Sequence, residues 1–282
     1  MSKVAIVTDS TAYIPADLVA KYKLSVAPQV LIWGDETLQD GVDIQSNEFF
    51  TRLRGAKQLP TTSQVNPKTF LDIFSSLVEQ DCQILAVLLS AQLSKTIDSA
   101  QQAKEMLPGA QVEIVDSYTT AMALGFTVLA AARAAEEGAS LAEAKAVAEK
   151  AREHVGVVFA VDTLEFLNRG GRIGGGARFL GTALQLKPIL EVAGGRVEAI
   201  ERVRTRSKSL ARVVELISER AGGRTPIRLA TLHADAAEDA RELLNEATSL
   251  LNPIESIFTE VSPVVANHAG PGTVGLAFMA GM

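Results

Sequence analysis

The sequence predicts an α/β fold with two α/β domains. Short apolar runs rich in branched residues alternate with polar turns and helical patterns, which is typical of a mainly parallel sheet flanked by helices. The length of 282 residues and the 47% hydrophobic content allow one large or two medium cores, and two is the commoner outcome at this length. We therefore expect residues 1–155 and 156–282 to form the two domains.

The first half begins with four predicted strands, most of which lead into a helical pattern. They lie at residues 4–8, 26–33, 83–89 and 112–115. Two Ala-rich helices are expected between residues 121 and 154. The break falls at Gly138, and Ser140 caps the second helix because a serine oxygen there accepts from the free backbone N–H groups.

The second half alternates strands and helices after a connecting segment at residues 164–176. The predicted strands lie at residues 155–161, 196–202, 227–233 and 254–261. The predicted helices lie at residues 207–220, 236–251 and 271–279. This alternation predicts a second α/β layer.

Composition and charge exclude several classes of function. The net charge of −6 argues against a general nucleic-acid or anionic-membrane surface. No window reaches eighteen apolar residues without a charge, so no integral membrane association is expected. The single Cys82 cannot form an internal disulfide, and residues 1–10 lack the apolar stretch of a secretion signal. We expect a cytoplasmic protein.

A scattered set of small neutral donors is the main functional signal. Ser94 and Thr96 follow an apolar strand where a helix must begin, Thr61 and Thr62 lie upstream, and His268 lies downstream. Hydroxyl and imidazole groups of this kind suit one oxygen-rich ligand group.

Two glycine-rich segments resemble phosphate-binding motifs without satisfying them. Gly270–Gly275 matches G-x-G-x-x-G, but the chain after it is too short for the required strand. One interpretation that remains is a turn followed by a helix N-terminus, whose free backbone N–H groups, with His268 just before them, could bind an anionic oxygen. The other is an ordinary helix cap beside a solvent-facing histidine. The segment from Gly170 to Arg178 lacks the P-loop ending, and is either a hinge or a place where the backbone approaches a ligand.

Two acidic strand ends support an alternative function. Asp9 and Asp116 each follow an apolar run, which fits a metal-dependent small-molecule phosphatase or kinase. Thr11 stands where the haloacid dehalogenase pattern needs a second Asp, so the general acid is missing. Capping of the next helix is the commoner role of aspartates at strand ends.

Six motifs in order along the chain resemble the DegV family of bacterial fatty-acid-binding proteins, as one unit over about residues 3–281. They are Thr8-Asp-Ser-Thr11, Thr62-Ser-Gln64, Leu93-Ser-x-Thr96, Leu164-Glu-Phe-Leu-Asn-Arg-Gly-Gly-Arg-Ile173, Lys187-Pro-Ile-Leu190 and His268-Ala-Gly-Pro-Gly272. The resemblance implies two α/β domains with the ligand buried near their interface. It also implies that Thr62 and Ser94 bind a fatty-acid carboxylate, with His268 in the same hydrogen-bond network and Arg172 nearby. Thr61, Thr96 and Gly270 are secondary candidates.

The resemblance also implies a role without catalysis. Family members carry a long-chain, palmitate-like fatty acid and present it to a separate fatty acid kinase, which makes an acyl phosphate for phospholipid synthesis. We therefore expect a lipid carrier with no cofactor, no metal and no nucleic-acid partner. The chain departs from the family at Lys95, where glycine is usual, and at Val65, where proline is usual. Lys95 either adds a charge near the carboxylate or points into solvent.

Overall fold

The fold is seen in a computed structural model that describes residues 3–180 and 186–282. Its strands are β1 Val4–Asp9, β2 Ser25–Ala27, β3 Val30–Trp33, β4 Glu36–Gln39, β5 Thr61–Ser63, β6 Gln83–Leu88, β7 Val112–Asp116, β8 Val155–Ala160, β9 Lys187–Ala193, β10 Arg196–Val203, β11 Ile227–His233, β12 Glu255–Ile257 and β13 Val274–Ala280. Its α-helices are α1 Ala16–Tyr22, α2 Ser46–Arg54, α3 Pro67–Val78, α4 Thr96–Glu105, α5 Ala121–Glu136, α6 Leu141–Ala151, α7 Glu165–Arg169, α8 Arg206–Ala221, α9 Ala237–Leu251 and α10 Pro263–Ala269.

The first sheet is parallel throughout, as the alternation of branched strands and helices predicts. Its strand order is β2-β1-β6-β7. The predicted strand at residues 26–33 is wrong, because β2 joins this sheet while β3 joins another. Pro28 lies between the two strands and has no backbone N–H for a ladder, so the chain changes direction there.

A small antiparallel sheet, with the order β4-β3-β5, was not predicted from the sequence. Leu31 of β3 pairs with Thr62 of β5, and its side chain is fully buried. Strands of three or four residues are too short to show a period, so only the folded chain identifies this sheet.

The second sheet is mixed, with the order β10-β9-β8-β13-β11-β12. All its strand pairs among the described residues are antiparallel except β11 with β12, which is parallel. The predicted helix at residues 271–279 is wrong, because Val274–Ala280 is a central strand that is buried along its whole length. A short apolar run buried on both faces has no period that separates strand from helix. The strand predicted at residues 254–261 is limited to β12.

Helix α5 lies between the two larger sheets and contacts β1 and β6 on one side and β8 and β13 on the other. Helices α8 and α9 pack against the opposite face of the second sheet. The predicted helix pair is confirmed: α5 and α6 are separated near Gly138, and Ser140 and Glu143 form a reciprocal capping box. The division of the chain at residue 155 stays a prediction. No helix within residues 3–180 and 186–282 is long and apolar enough to cross a membrane.

Candidate functional site

The first sheet places a crevice at the ends of β1 and β6. The strand order reverses between these two neighbours, and in open parallel sheets ligands bind at such a switch point, outside the carboxyl ends of the strands. Asp9 ends β1, and the loop after β6 carries Leu93 and Ser94 before α4 begins at Thr96. The hydroxyl pair singled out in the sequence therefore lies beside this crevice.

Ser94 is held through a buried network. Its Oγ lies 2.9 Å from Oγ1 of Thr96, which is fully buried. Thr96 Oγ1 in turn lies 3.0 Å from Nε2 and 3.1 Å from Oε1 of Gln29. Thr96 is thus a supporting group behind Ser94.

Lys95 points away from this network. Its Nζ lies 3.5 Å from Asp98 of the same helix, and 72% of its side chain is exposed. The substitution of lysine for the usual glycine therefore adds no charge to the crevice.

Thr62 reaches the same region from the small antiparallel sheet. Its Oγ1 lies 2.7 Å from Nε2 of His268, which sits in the last turn of α10. The prediction of a helix N-terminus behind His268 is wrong, since α10 precedes Gly270 and ends there at a φ of +80°. Gly270 packs against Phe166 and offers no helix N-terminus to a ligand.

The His268 imidazole is neutral at pH 7. Burial, and secondly the nearby Arg172 guanidinium, lower the pKa of His268 to about 4. Its Nδ1 is buried and has no hydrogen-bond partner among the described residues. A Cβ added at Gly170 would lie 2.0 Å from this Nδ1, so glycine is what allows the ring to sit there.

The partners of the two ring nitrogens determine the tautomer of His268. A buried N–H without an acceptor is rarer and costlier than an unpaired acceptor nitrogen. The proton therefore belongs on Nε2, which donates to Thr62. Thr62 then keeps its own hydroxyl proton for a ligand.

Arg172 connects the two sides of the crevice. Its Nε donates to the carbonyl of Leu93 over 3.0 Å, and its Nη1 donates to the carbonyl of Gly170 over 2.7 Å. One side chain thus ties the loop before Ser94 to the glycine that contacts His268. The glycine-rich segment after Gly170 could have been a free hinge or a place of close backbone approach. The contact of Gly170 with the His268 ring fits a close backbone approach.

An inner cavity opens from these groups into the protein, with about 820 Å³ of atom-free space including its open part. The four principal predicted residues, Thr62, Ser94, Arg172 and His268, all line it. Most of the other lining groups are apolar, and they include Leu89, Leu93, Ala121, Val157, Phe159, Leu167, Val192, Val197, Leu232, Val264, Val265 and Ala269.

An outer pocket meets the inner cavity at three shared side chains, those of Thr62, Arg172 and His268. Its remaining lining is Leu59, Pro60, Thr61, Phe166, Arg169, Gly170 and Asn267. The secondary candidate Thr61 is exposed and lines only this outer pocket. The shared side chains therefore stand at the mouth of the cavity.

The two aspartates of the alternative hypothesis cap backbone groups. Asp9 is fully buried and accepts from the backbone N–H groups of Thr11 and Leu89 at 3.0 and 2.8 Å. Asp116 accepts from the N–H groups of Tyr118 and Ala91 at 2.8 and 3.3 Å. No cluster of three or more His, Cys, Asp or Glu able to hold a metal occurs in the described part of the chain. The metal-dependent alternative is therefore not favoured.

Gln29 is the site residue that sequence reasoning missed. It is 2% exposed, lines the inner cavity and contacts Thr96. The only local sign of a special role was its position directly after Pro28, between two apolar runs. A polar residue after proline usually indicates a turn rather than a binding site.

Comparison with known proteins gives a consistent result over the whole chain. A model of the DegV family, described as uncharacterised proteins, matches residues 3–281. A DegV domain-containing protein of Streptomyces coelicolor is 39% identical over 275 residues, which is 97% of each chain. Protein DegV of Bacillus subtilis is 31% identical over 277 residues, or 98% of each chain.

Solved structures agree with the fold. A DegV family protein from Thermus thermophilus, described by its fatty acid binding, superposes with a TM-score of 0.93 at 36% identity and covers 99% of both chains. DegV from Bacillus subtilis, described as a fatty acid binding protein, superposes with a TM-score of 0.91 at 29% identity, covering 99% of this chain and all of that one. The predicted α/β fold and the family resemblance are confirmed.

Proposed function

Because this chain belongs to the DegV family, we propose that it is a carrier of a long-chain, palmitate-like fatty acid. The acyl tail fills the inner cavity, and the carboxylate lies at the mouth between Thr62 and Ser94. The observation that carries the proposal is one mainly apolar cavity whose lining includes the uncharged hydroxyl groups of Thr62 and Ser94. The structures of relatives described as fatty acid binding support it.

The tail supplies the affinity. Sixteen carbons bury about fifteen methylene and methyl groups, and at ~0.8 kcal/mol each the gross gain is roughly 12 kcal/mol. The carboxylate opposes this gain, because an anion taken out of water without partners costs more than one neutral hydrogen bond returns.

Hydroxyl donors offset that cost without adding a fixed charge. Thr62 Oγ1 accepts a hydrogen bond from Nε2–H of neutral His268, which leaves the threonine hydroxyl proton free to point toward the mouth. Arg172 contributes positive charge at the same place, although its guanidinium is partly used by two backbone carbonyls. Donors of this kind favour the ionised carboxylate and keep it a nucleophile.

The outer pocket gives a second protein access to that carboxylate. We propose that a fatty acid kinase approaches through it and phosphorylates the bound acid, while this chain performs no chemistry itself. Incubating the loaded protein with a purified fatty acid kinase and ATP should then yield an acyl phosphate. Failure with a kinase that is active on another carrier would contradict this part of the proposal alone.

The binding proposal is tested by mass spectrometry of the denatured protein, which should release a long-chain fatty acid. A purified protein that is free of lipid and cannot be loaded would contradict the proposal. The double variant Thr62→Ala, Ser94→Ala should lose affinity for the acid and lose much less for the matching alcohol, because only the acid needs two donors. Equal losses for both ligands would indicate general destabilisation.

A further inference from the structure

Helix α10 brings His268 to the mouth of the cavity, and it is only seven residues long. An isolated helix of two turns is unstable in water, so the position of α10 depends on its contacts with the rest of the fold. Its own N-cap residue, Ser262, makes no side-chain hydrogen bond to the helix. The first turn of α10 therefore needs a capping group from another part of the chain.

Asp40 supplies that cap. Its Oδ1 accepts from the backbone N–H of Val264 over 3.1 Å, across 224 residues of sequence. A backbone N–H can only donate, so the direction of this bond is fixed. Val264 is the second residue of α10, which is a position where a capping oxygen normally binds, and the positive end of the helix dipole favours a carboxylate there.

Asp40 is itself fixed in place. It is 2% exposed, and its backbone N–H donates to the carbonyl of Gln29 over 2.9 Å. Its Oδ2 accepts from Ser10 Oγ over 2.6 Å. The same hydroxyl oxygen accepts from the backbone N–H of Gln29 over 3.1 Å, which leaves the serine proton for the carboxylate. Each carboxylate oxygen thus has its own donor, and the side chain cannot rotate without losing one.

The small antiparallel sheet contacts α10 at two points. Asp40 directly follows β4 and binds the first turn of the helix at Val264. Thr62 belongs to β5 and lies 2.7 Å from His268 in the last turn. Strand β3 pairs with both β4 and β5, so one small unit carries both contacts. Val264 and His268 are four residues apart and lie on one face of the helix, so a shift at the first contact moves the second.

We propose that Asp40 is a positioning residue for carboxylate recognition: by capping α10 from the small sheet, it sets the helix at the rotation and height where His268 meets Thr62. The effect on ligand binding rests on the proposed function, whereas the placement of His268 is a property of the fold. Asp40 lines neither the inner cavity nor the outer pocket, so it acts only through the helix.

The titration of His268 tests the proposal without a ligand. The pKa of this buried ring is about 4 in the wild type. In Asp40→Ala the N–H of Val264 loses its acceptor, the first turn moves toward water, and the pKa of His268 should rise toward the 6.5 of an ordinary histidine. NMR titration of the imidazole measures this, with His268→Gln to assign its signal. Asp40→Asn keeps an oxygen acceptor for Val264 and should retain the wild-type titration.

Ligand affinity is the second measurement. Asp40→Ala should weaken binding of a long-chain fatty acid by about tenfold, and Asp40→Asn by less than about threefold. The alcohol of equal chain length should change by less than about threefold in both variants, because it carries no charge that requires donors.

Thr205→Ala is the matched control. Thr205 caps α8 by accepting from the backbone N–H of Lys208 over 3.2 Å, and it lines neither the inner cavity nor the outer pocket. This variant also removes a helix cap, but at a helix that does not carry His268. Its His268 titration and its acid affinity should equal those of the wild type.

Each outcome decides the proposal. An unchanged His268 titration in Asp40→Ala overturns it, as does an equal displacement in Thr205→Ala or in Asp40→Asn. If Asp40→Ala does not fold, Ser10→Ala replaces it: this variant frees Oδ2 of Asp40 and should displace the titration in the same direction, and an unchanged titration there overturns the proposal. A wild-type protein that binds neither the acid nor the alcohol contradicts the proposed function instead.

Discussion

The inner cavity and the outer pocket share Thr62, Arg172 and His268, yet the two are built from different residues. The inner side is lined mainly by branched aliphatic and other apolar side chains. The outer side adds polar and charged groups, Thr61, Arg169 and Asn267. Under the proposed function, this contrast separates affinity from access: the apolar side receives the acyl tail, and the polar side receives the carboxylate.

The largest expected effect follows from the tail side. Replacing a sixteen-carbon acid by the ten-carbon acid removes six methylene groups and should weaken binding by roughly 5 kcal/mol. Isothermal titration with a series of acids measures the slope per carbon. If the binding free energy did not change with chain length, the tail would not be the source of affinity, and the contrast between the two sides would be contradicted.

A comparably large effect concerns the pH dependence of stability at the shared mouth. The pKa of His268 is lowered from 6.5 to about 4 in the folded chain, so the unfolded chain takes up the proton first as the pH falls. This histidine therefore stabilises the fold above pH 6.5, and its contribution of about 3 kcal/mol is lost as the pH falls from 6.5 to 4.

Urea unfolding of the wild type and of His268→Gln across that range isolates the effect. The difference in unfolding free energy between the two proteins should shrink as the pH falls. Parallel curves would show that His268 takes up its proton at the same pH in both states.

A smaller effect is expected from Gly170→Ala. The backbone of Gly170 has φ −74°, which alanine adopts freely, so the only obstacle is the His268 ring. Moving the ring should cost about 1–3 kcal/mol of stability and should also weaken acid binding, because Thr62 loses its donor.

Gly171→Ala is the control for this variant. Gly171 has φ +68° with no atom near a new Cβ, so alanine there adds backbone strain of roughly 1 kcal/mol without touching the histidine. Acid affinity should be retained. Equal losses of affinity in the two variants would contradict the role given to Gly170.

The smallest effect is expected at Lys95. Lys95→Ala removes an exposed ion pair between the residue before α4 and Asp98 in its first turn, and should change stability by less than about 0.5 kcal/mol. Acid affinity should change by less than about twofold, as a fluorescent displacement assay would show. A large decrease in acid affinity would instead place the lysine charge at the carboxylate.

Local sequence was sufficient for the parallel sheet, because β1, β6 and β7 are branched runs that each lead into a polar turn. It was insufficient for β13, whose burial on both faces hides the period of a strand. At Gly275, a Cβ would lie 2.3 Å from the carbonyl oxygen of Val158. This close approach of neighbouring strands is visible only after folding.

The candidate site shows the same limit. The hydroxyl groups of Thr62 and Ser94 could be singled out from the motifs around them, since polar residues at element ends favour ligand contacts. Gln29 could not, because it meets Thr96 across 67 residues of sequence. A hydrogen bond of that range depends on the path of β2 and β3, which Pro28 separates into different sheets.

The position of β13 has a consequence for biosynthesis. This strand leaves the ribosome after β8 and β11, yet it lies between them and supplies the hydrogen bonds on both sides. Until it emerges, a nascent chain exposes two unpaired strand edges, which chaperones recognise and which promote aggregation. The second sheet therefore becomes continuous only once β13 has been synthesised and has inserted between strands made before it.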